Sequence, residues 1–135
     1  MSFEMLVVVL LGVVIFLVAG LMVVKFVPKR TKKSTFQNKW KEVVNYCKHK
    51  ETWPTALTRA DELLDMALQR RRYKGKNIGE RLVAAQKIFT DNDSLWYAHK
   101  LSVKATDHPK MRLKEKEVKE ALSSMRQGLK DLDVL

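Results

Sequence analysis

An uninterrupted apolar run restricts this chain more than any other feature. Residues 5–24 read Met-Leu-Val-Val-Val-Leu-Leu-Gly-Val-Val-Ile-Phe-Leu-Val-Ala-Gly-Leu-Met-Val-Val, twenty positions with no charged and no polar side chain. As a helix rising ~1.5 Å per residue, such a run reaches about 30 Å, the thickness of a bilayer's hydrocarbon core. A segment in lipid must satisfy its backbone hydrogen bonds internally, so helix is expected despite the many β-branched residues. A cleaved signal peptide would open on basic residues and carry a shorter run. Here the N-terminus holds Glu4 and neither Lys nor Arg, and the cations Lys25, Lys29, Arg30, Lys32 and Lys33 follow the run. The sequence therefore predicts a transmembrane anchor over residues 1–25, spanning about 5–24, with the lipid bilayer as first partner. The positive-inside rule predicts a single-pass protein of the cell membrane, its N-terminus outside and its C-terminal domain cytoplasmic.

Residues 26–35 read as a basic juxtamembrane linker, containing Pro28 and the polar run 30–35. Of the 26 Lys and Arg, five lie within residues 25–33, and of the 15 Asp and Glu only Glu4 precedes residue 34. The remainder thus carries +7 of the total +11. A domain of this sign favours anionic surfaces: lipid head groups, nucleic acid or acidic proteins. The single cysteine, Cys47, excludes an intramolecular disulfide and points to a reducing compartment.

Residues 36–135 show helical spacing throughout and no period-two alternation, so no sheet is expected. Phe36, Trp40, Val43, Val44 and Cys47 form one apolar stripe over about 36–48. Pro54 opens a second helix, which carries Leu57, Ala60, Leu64 and Ala67 and ends at Arg70–Arg72 with Gly75 beyond. Asn77 followed by Glu80 has the spacing of a reciprocal capping pair and starts a third. The cap formers Asp91, Asn92, Asp93 and Ser94 start a fourth, which Pro109 ends. A fifth is expected from about Lys110 to Leu132, with Met111, Val118, Leu122, Met125 and Leu129 at 3–4 spacing. Short connections favour antiparallel neighbours. The fold expected is all-α: a single N-terminal transmembrane helix followed by a four- to five-helix up-and-down bundle over 36–135.

The usual signatures of chemistry are missing. His49, His99 and His108 do not pair at helical spacing, so no metal site is expected. No Ser/His/Asp pattern, glycine-rich phosphate loop or catalytic cysteine signature is present, and no cofactor is expected. The densest basic feature gathers Arg70, Arg71, Arg72, Lys74 and Lys76 around Tyr73. Such a cluster can neutralise phosphates while the ring stacks on a base, or it can complement a helix C-terminus and stay solvated.

Several pieces then occur in order: Ala60-Asp61-Glu62-Leu63-Leu64-Asp65, Gly75, Ile78-Gly79-Glu80-Arg81-Leu82, Phe89, and Leu95-Trp96-Tyr97-Ala98-His99-Lys100. This order resembles a family of uncharacterised small bacterial proteins of the Saccharibacteria (candidate-phylum) kind, many with one N-terminal membrane helix. It covers about residues 38–130. In fuller versions of the pattern the Ala-His-Lys stretch is followed by Arg-Asn-x-x-x-His. That ending is similar to the HEPN superfamily of helical bundles, whose active members are metal-independent ribonucleases with Arg and His meeting across a dimer. The resemblance implies a HEPN-like bundle, but the catalytic pair is degenerate in this chain. Ser102 and Val103 stand at the Arg-Asn positions, Asp107 stands at the His position, and Lys104 with His108 is a remnant pair one residue too short. In a bundle of this type, Asp61 or Asp65 on the second helix is expected to make a structural polar contact with His99 on the fourth.

The function these features imply is a non-catalytic interaction or scaffolding module held at the membrane, with an unknown protein partner or a homodimer. The alternative is an RNA-binding or residual HEPN-like ribonuclease domain, with nucleic acid as partner.

Overall fold

A computed structural model describes residues 2–26 and 33–135, with side chains in the first helix as far as Ala19. The described residues hold six α-helices and no strand: α1 Phe3–Phe26, α2 Lys33–Tyr46, α3 Trp53–Arg70, α4 Ile78–Ala85, α5 Asn92–Asp107 and α6 Glu115–Asp131. They separate into two compact units, Met1–Arg30 and Thr31–Leu135. The expected linker, 26–35, falls mostly on residues 27–32, outside the described residues, while Lys33, Ser34 and Thr35 already belong to α2.

The first unit corrects the expectation of a transmembrane helix. Among the described residues no helix is long and apolar enough to cross a membrane. Seventeen described side chains, Phe3 to Ala19, belong to α1. The helix is nonetheless apolar on every side, with Phe3 82%, Ile15 66% and Phe16 80% exposed.

The second unit is organised on α3. Ala56, Leu57, Ala60, Leu63, Leu64, Ala67 and Leu68 are all buried, and α2, α4, α5 and α6 each pack against this helix. The alanines keep its surface low enough for neighbours to approach from several directions. The bundle is therefore a set of helices gathered on α3 rather than a simple succession of neighbours. From α2, Phe36 and Val43 reach the core; from α5, Leu95, Ala98, Leu101 and Ala105; from α6, Val118, Leu122, Met125 and Leu129. Gly128 lies where α6 crosses both α3 and α5, and a Cβ there would come within 3.1 Å of Leu95 Cδ1 and 3.5 Å of Leu64 Cδ1.

The helix ends follow local chemistry. Asn77 Oδ1 accepts from Glu80 N at 2.9 Å, while Glu80 Oε2 reaches back to Lys76 N at 2.6 Å, one residue before the cap. Asp91 caps α5 through Ser94 N and Ser94 Oγ, at 3.0 and 2.7 Å, which holds its carboxyl below the ordinary aspartate range. α3 closes with Tyr73 N on Leu68 O and Arg72 N on Gln69 O, and Arg72 takes a left-handed φ of 63°. α6 closes the same way through Val134 and Asp133. Both are the two-bond closure with a left-handed residue just past the helix. α6 begins at Glu115, not Lys110, because Glu115 and Glu117 suit the positive end of a helix dipole and residues 110–114 do not. Met111 and Leu113 instead cover the core from the connection.

Gly75 does not cap α3. A Cβ there would stand 2.8 Å from both Arg81 N and Glu80 Cβ, so the loop passes too close to α4 for any side chain. Gly75→Ala is expected to destabilise the bundle by about 1–3 kcal/mol, read as a fall in Tm by circular dichroism.

Candidate functional site

The polar residues of the bundle interior sit where α3 meets α4 and α5. Asp61 and Asp65 lie one turn apart on α3 and take different partners. His99 Nδ1 stands 2.9 and 3.0 Å from the two oxygens of Asp61. A carboxylate only accepts, so Nδ1 carries the proton and donates. His99 is 9% exposed and its ring meets Trp96 edge-on, with centroids 5.8 Å apart. Asp65 does not reach His99. Its Oδ1 is 3.5 Å from Arg81 Nε on α4, and its Oδ2 accepts from Gln69 Nε2 at 3.1 Å. Nothing in the local sequence around Arg81 marks it as Asp65's partner.

Two further bonds continue down the α3–α5 contact. Ser102 Oγ donates to Leu57 O at 3.2 Å, and the Thr58 and Thr106 hydroxyls lie 3.0 Å apart. As α5 advances from His99 to Thr106, its partners on α3 fall back from Asp61 to Leu57 and Thr58, so the helices run antiparallel. Ser102 is buried at 2% exposure.

Lys104 and His108 are both exposed at the end of α5. They meet through backbone alone, His108 N donating to Lys104 O at 2.8 Å. The Arg70–Lys76 cluster is divided by the fold. Arg70 lies over the Phe36 ring, 5.6 Å from its centroid. Arg71 Nε donates to Leu132 O at 2.7 Å and its Nη2 to Asp133 at 3.2 Å. Arg72, Lys74 and Lys76 remain exposed. Of the membrane-proximal cations, Lys25 lies in α1 beyond the described side chains, and Lys29, Arg30 and Lys32 lie outside the described residues. Lys33 Nζ sits 3.8 Å from Asp133. No group of metal-ligating side chains forms among the described residues. Burial raises the Cys47 thiol above its ordinary range, which favours the protonated form.

Two surface features remain. A groove of about 550 Å³ opens between α2 and α6, lined by Trp40, Val43, Val44, Cys47, Leu122 and Lys119, with Ser123 and Arg126 at its edge. At one end of the bundle the connections 47–52 and 108–114 meet around a cavity of about 220 Å³, walled by Trp53, Pro109 and Met111 with Lys50, Arg112 and one carboxylate, Glu51, beside them. Both features join segments distant in sequence, and neither is visible in any single stretch. Comparison with protein-family models, curated proteins and solved structures finds no match to this chain.

Burial raises the Asp61 carboxyl above its ordinary 3.8, and the hydrogen bond and charge of His99 offset that only in part. Its folded pKa is therefore above its unfolded one, and stability is lost as pH rises through the folded value. Asp61→Asn removes that titration, so its stability relative to wild type should increase as pH rises above 3.8. Asp61→Ala leaves the His99 N–H without a partner and should cost about 1–3 kcal/mol near neutral pH. Urea unfolding of both variants across pH checks the pair; a flat difference between Asp61→Asn and wild type would remove the basis for it.

Proposed function

We propose that this chain is a non-catalytic interaction module that receives a macromolecular partner in the groove between α2 and α6, while the apolar surface of α1 associates with a lipid bilayer. The groove carries this reading. Val44 lies 51% exposed in its wall, beside the partly buried Trp40 and Cys47. An open apolar cleft between helices is the usual form of a binding site in a bundle. The groups that chemistry would need are otherwise engaged: Asp61 and His99 bind each other and line neither cavity, and the Cys47 thiol is held protonated. α1 supports the lipid association, because apolar surface left in water costs roughly 25 cal/mol per Å². Full-length chain with a photoreactive residue in place of Val44 should float with lipid vesicles on a density gradient and give one discrete adduct on irradiation in cells. The same residue in place of Tyr97, exposed on α5, should give none. Equal labelling from both positions, or a chain that stays at the bottom of the gradient, overturns the reading.

A second reading, single-stranded RNA binding, is favoured by the other surface feature. Lys48, Lys50, Lys110, Arg112 and Lys114 lie in the two connections that meet at one end of the bundle, and none makes an ion pair among the described residues. Unpaired cations suit a phosphate backbone, and Trp53 and Met111 offer an apolar wall to a base. On this reading the detergent-solubilised chain retards single-stranded RNA at low salt, and the shift fades as salt rises. Lys50→Glu with Arg112→Glu should abolish the shift, whereas Lys74→Glu with Lys76→Glu should leave it. A shift that survives the first pair rejects the reading.

A further inference from the structure

We infer that the α2–α6 groove selects an amphipathic helix of a partner protein that carries carboxylates along one edge, two turns apart. The inference rests on the groove reading above and specifies its occupant. The groove exists because α2 and α6 both pack on α3 while neither makes its main contact with the other. Its lining runs from Trp40 to Cys47 on one side and from Lys119 to Arg126 on the other. Seven residues of helix rise about 10 Å, so both walls are two turns long. An occupant of matching length presents apolar side chains at i, i+3, i+4 and i+7, the pattern of a helix laid in a groove.

The charge is one-sided. The charged side chains that line the groove are Lys119 and Arg126, and no carboxylate lines it among the described residues. Seven positions apart on α6, these two fall on the same face. Lys119 is paired with Glu115 at 2.9 Å, but both side chains are well exposed and the pair is exchangeable. Arg126 makes no ion pair among the described residues. Its planar fork matches a carboxylate in two-point contact. A partner with acids at that spacing gains an attraction that a basic or neutral helix does not. A lipid acyl chain would fill the apolar floor but would leave the paired cation spacing unused.

The test uses full-length chain in nanodiscs of neutral lipid and two labelled synthetic helical peptides. Both peptides carry Leu at i, i+3, i+4 and i+7; one has Glu and the other Lys at edge positions two turns apart. Fluorescence anisotropy should show the Glu peptide binding about tenfold more tightly than the Lys peptide, the gap narrowing with salt. Lys119→Glu with Arg126→Glu should reverse the preference, and Val44→Asp should abolish both; these are exposed positions, so circular dichroism should remain that of wild type. Equal binding of the two peptides with no reversal overturns the acidic-edge inference and leaves the groove reading in place. If neither peptide binds wild type, the groove reading itself fails. Displacement of the Glu peptide by added short-chain lipid would make the groove a lipid site and overturn the inference.

Discussion

Burial of α3 is the constraint on which the bundle depends. Ala56, Ala60 and Ala67 stand among Leu57, Leu63, Leu64 and Leu68 on one 18-residue helix, and each is at most 2% exposed. Small residues between large ones let helices approach on several sides at once, so α3 takes the central place and the others become its neighbours. A helix cannot be central without keeping some of its neighbours apart. α2 spends its apolar stripe on α3 and α6 on α3 and α5, and the remaining edge of α2, around Trp40 and Val44, is left open beside Leu122. The groove is thus a consequence of how the core is filled.

The two carboxylates of α3 add direction to that core. Apolar packing alone tolerates sliding of one helix along another. Asp61 with His99, Leu57 O with Ser102 and Thr58 with Thr106 fix α5 at three points, and Asp65 with Arg81 fixes α4. Such pairs add little net stability, since the desolvation that raises the Asp61 carboxyl consumes much of the attraction. Their effect is to penalise wrong registers, where the same groups would lie buried without partners. Ser102 belongs to this ladder and helps hold α5 against α3.

What the sequence shows is what neighbours along the chain determine. Pro54 at a helix start, Asn77 with Glu80, the cap cluster at Asp91 and the stop before Pro109 are local, and the structure places helix ends at or beside each. Residues 110–114 resemble helix by spacing, but three cations at a helix N-terminus are opposed by the dipole, and Glu115 marks the real start. Gly75 resembles a cap and is instead a close-approach residue, while Arg72 takes the left-handed position. The transmembrane expectation rests on the apolar run alone, and no helix among the described residues meets the length and apolarity that a crossing needs. The polar cluster is legible only in part, because Asp61 and Asp65 share a face in the sequence while their partners lie on two different helices. The groove is not legible at all, because its walls are 72 or more positions apart, counted from Cys47 to Lys119.

The distribution of charge follows from the same geometry. Two of the five cations in the Arg70–Lys76 cluster are drawn inward: Arg70 covers Phe36, and Arg71 closes onto Leu132 and Asp133, which also takes Lys33. At the other end of α3 nothing of the kind happens. Lys50 precedes the N-terminus of α3, and Arg112 and Lys114 precede that of α6, so like charges gather where two helix dipoles are already positive. Each such placement costs on the order of 0.3–1 kcal/mol at an exposed site. Glu115 and Glu117 relieve it for α6, Glu51 stands just ahead of α3, and α2 and α5 end at this same end of the bundle with the negative poles of their dipoles. The cations at this end are thus set against Glu51 and two helix C-termini, whereas at the Arg70–Lys76 end Arg70 and Arg71 are drawn onto Phe36 and Leu132.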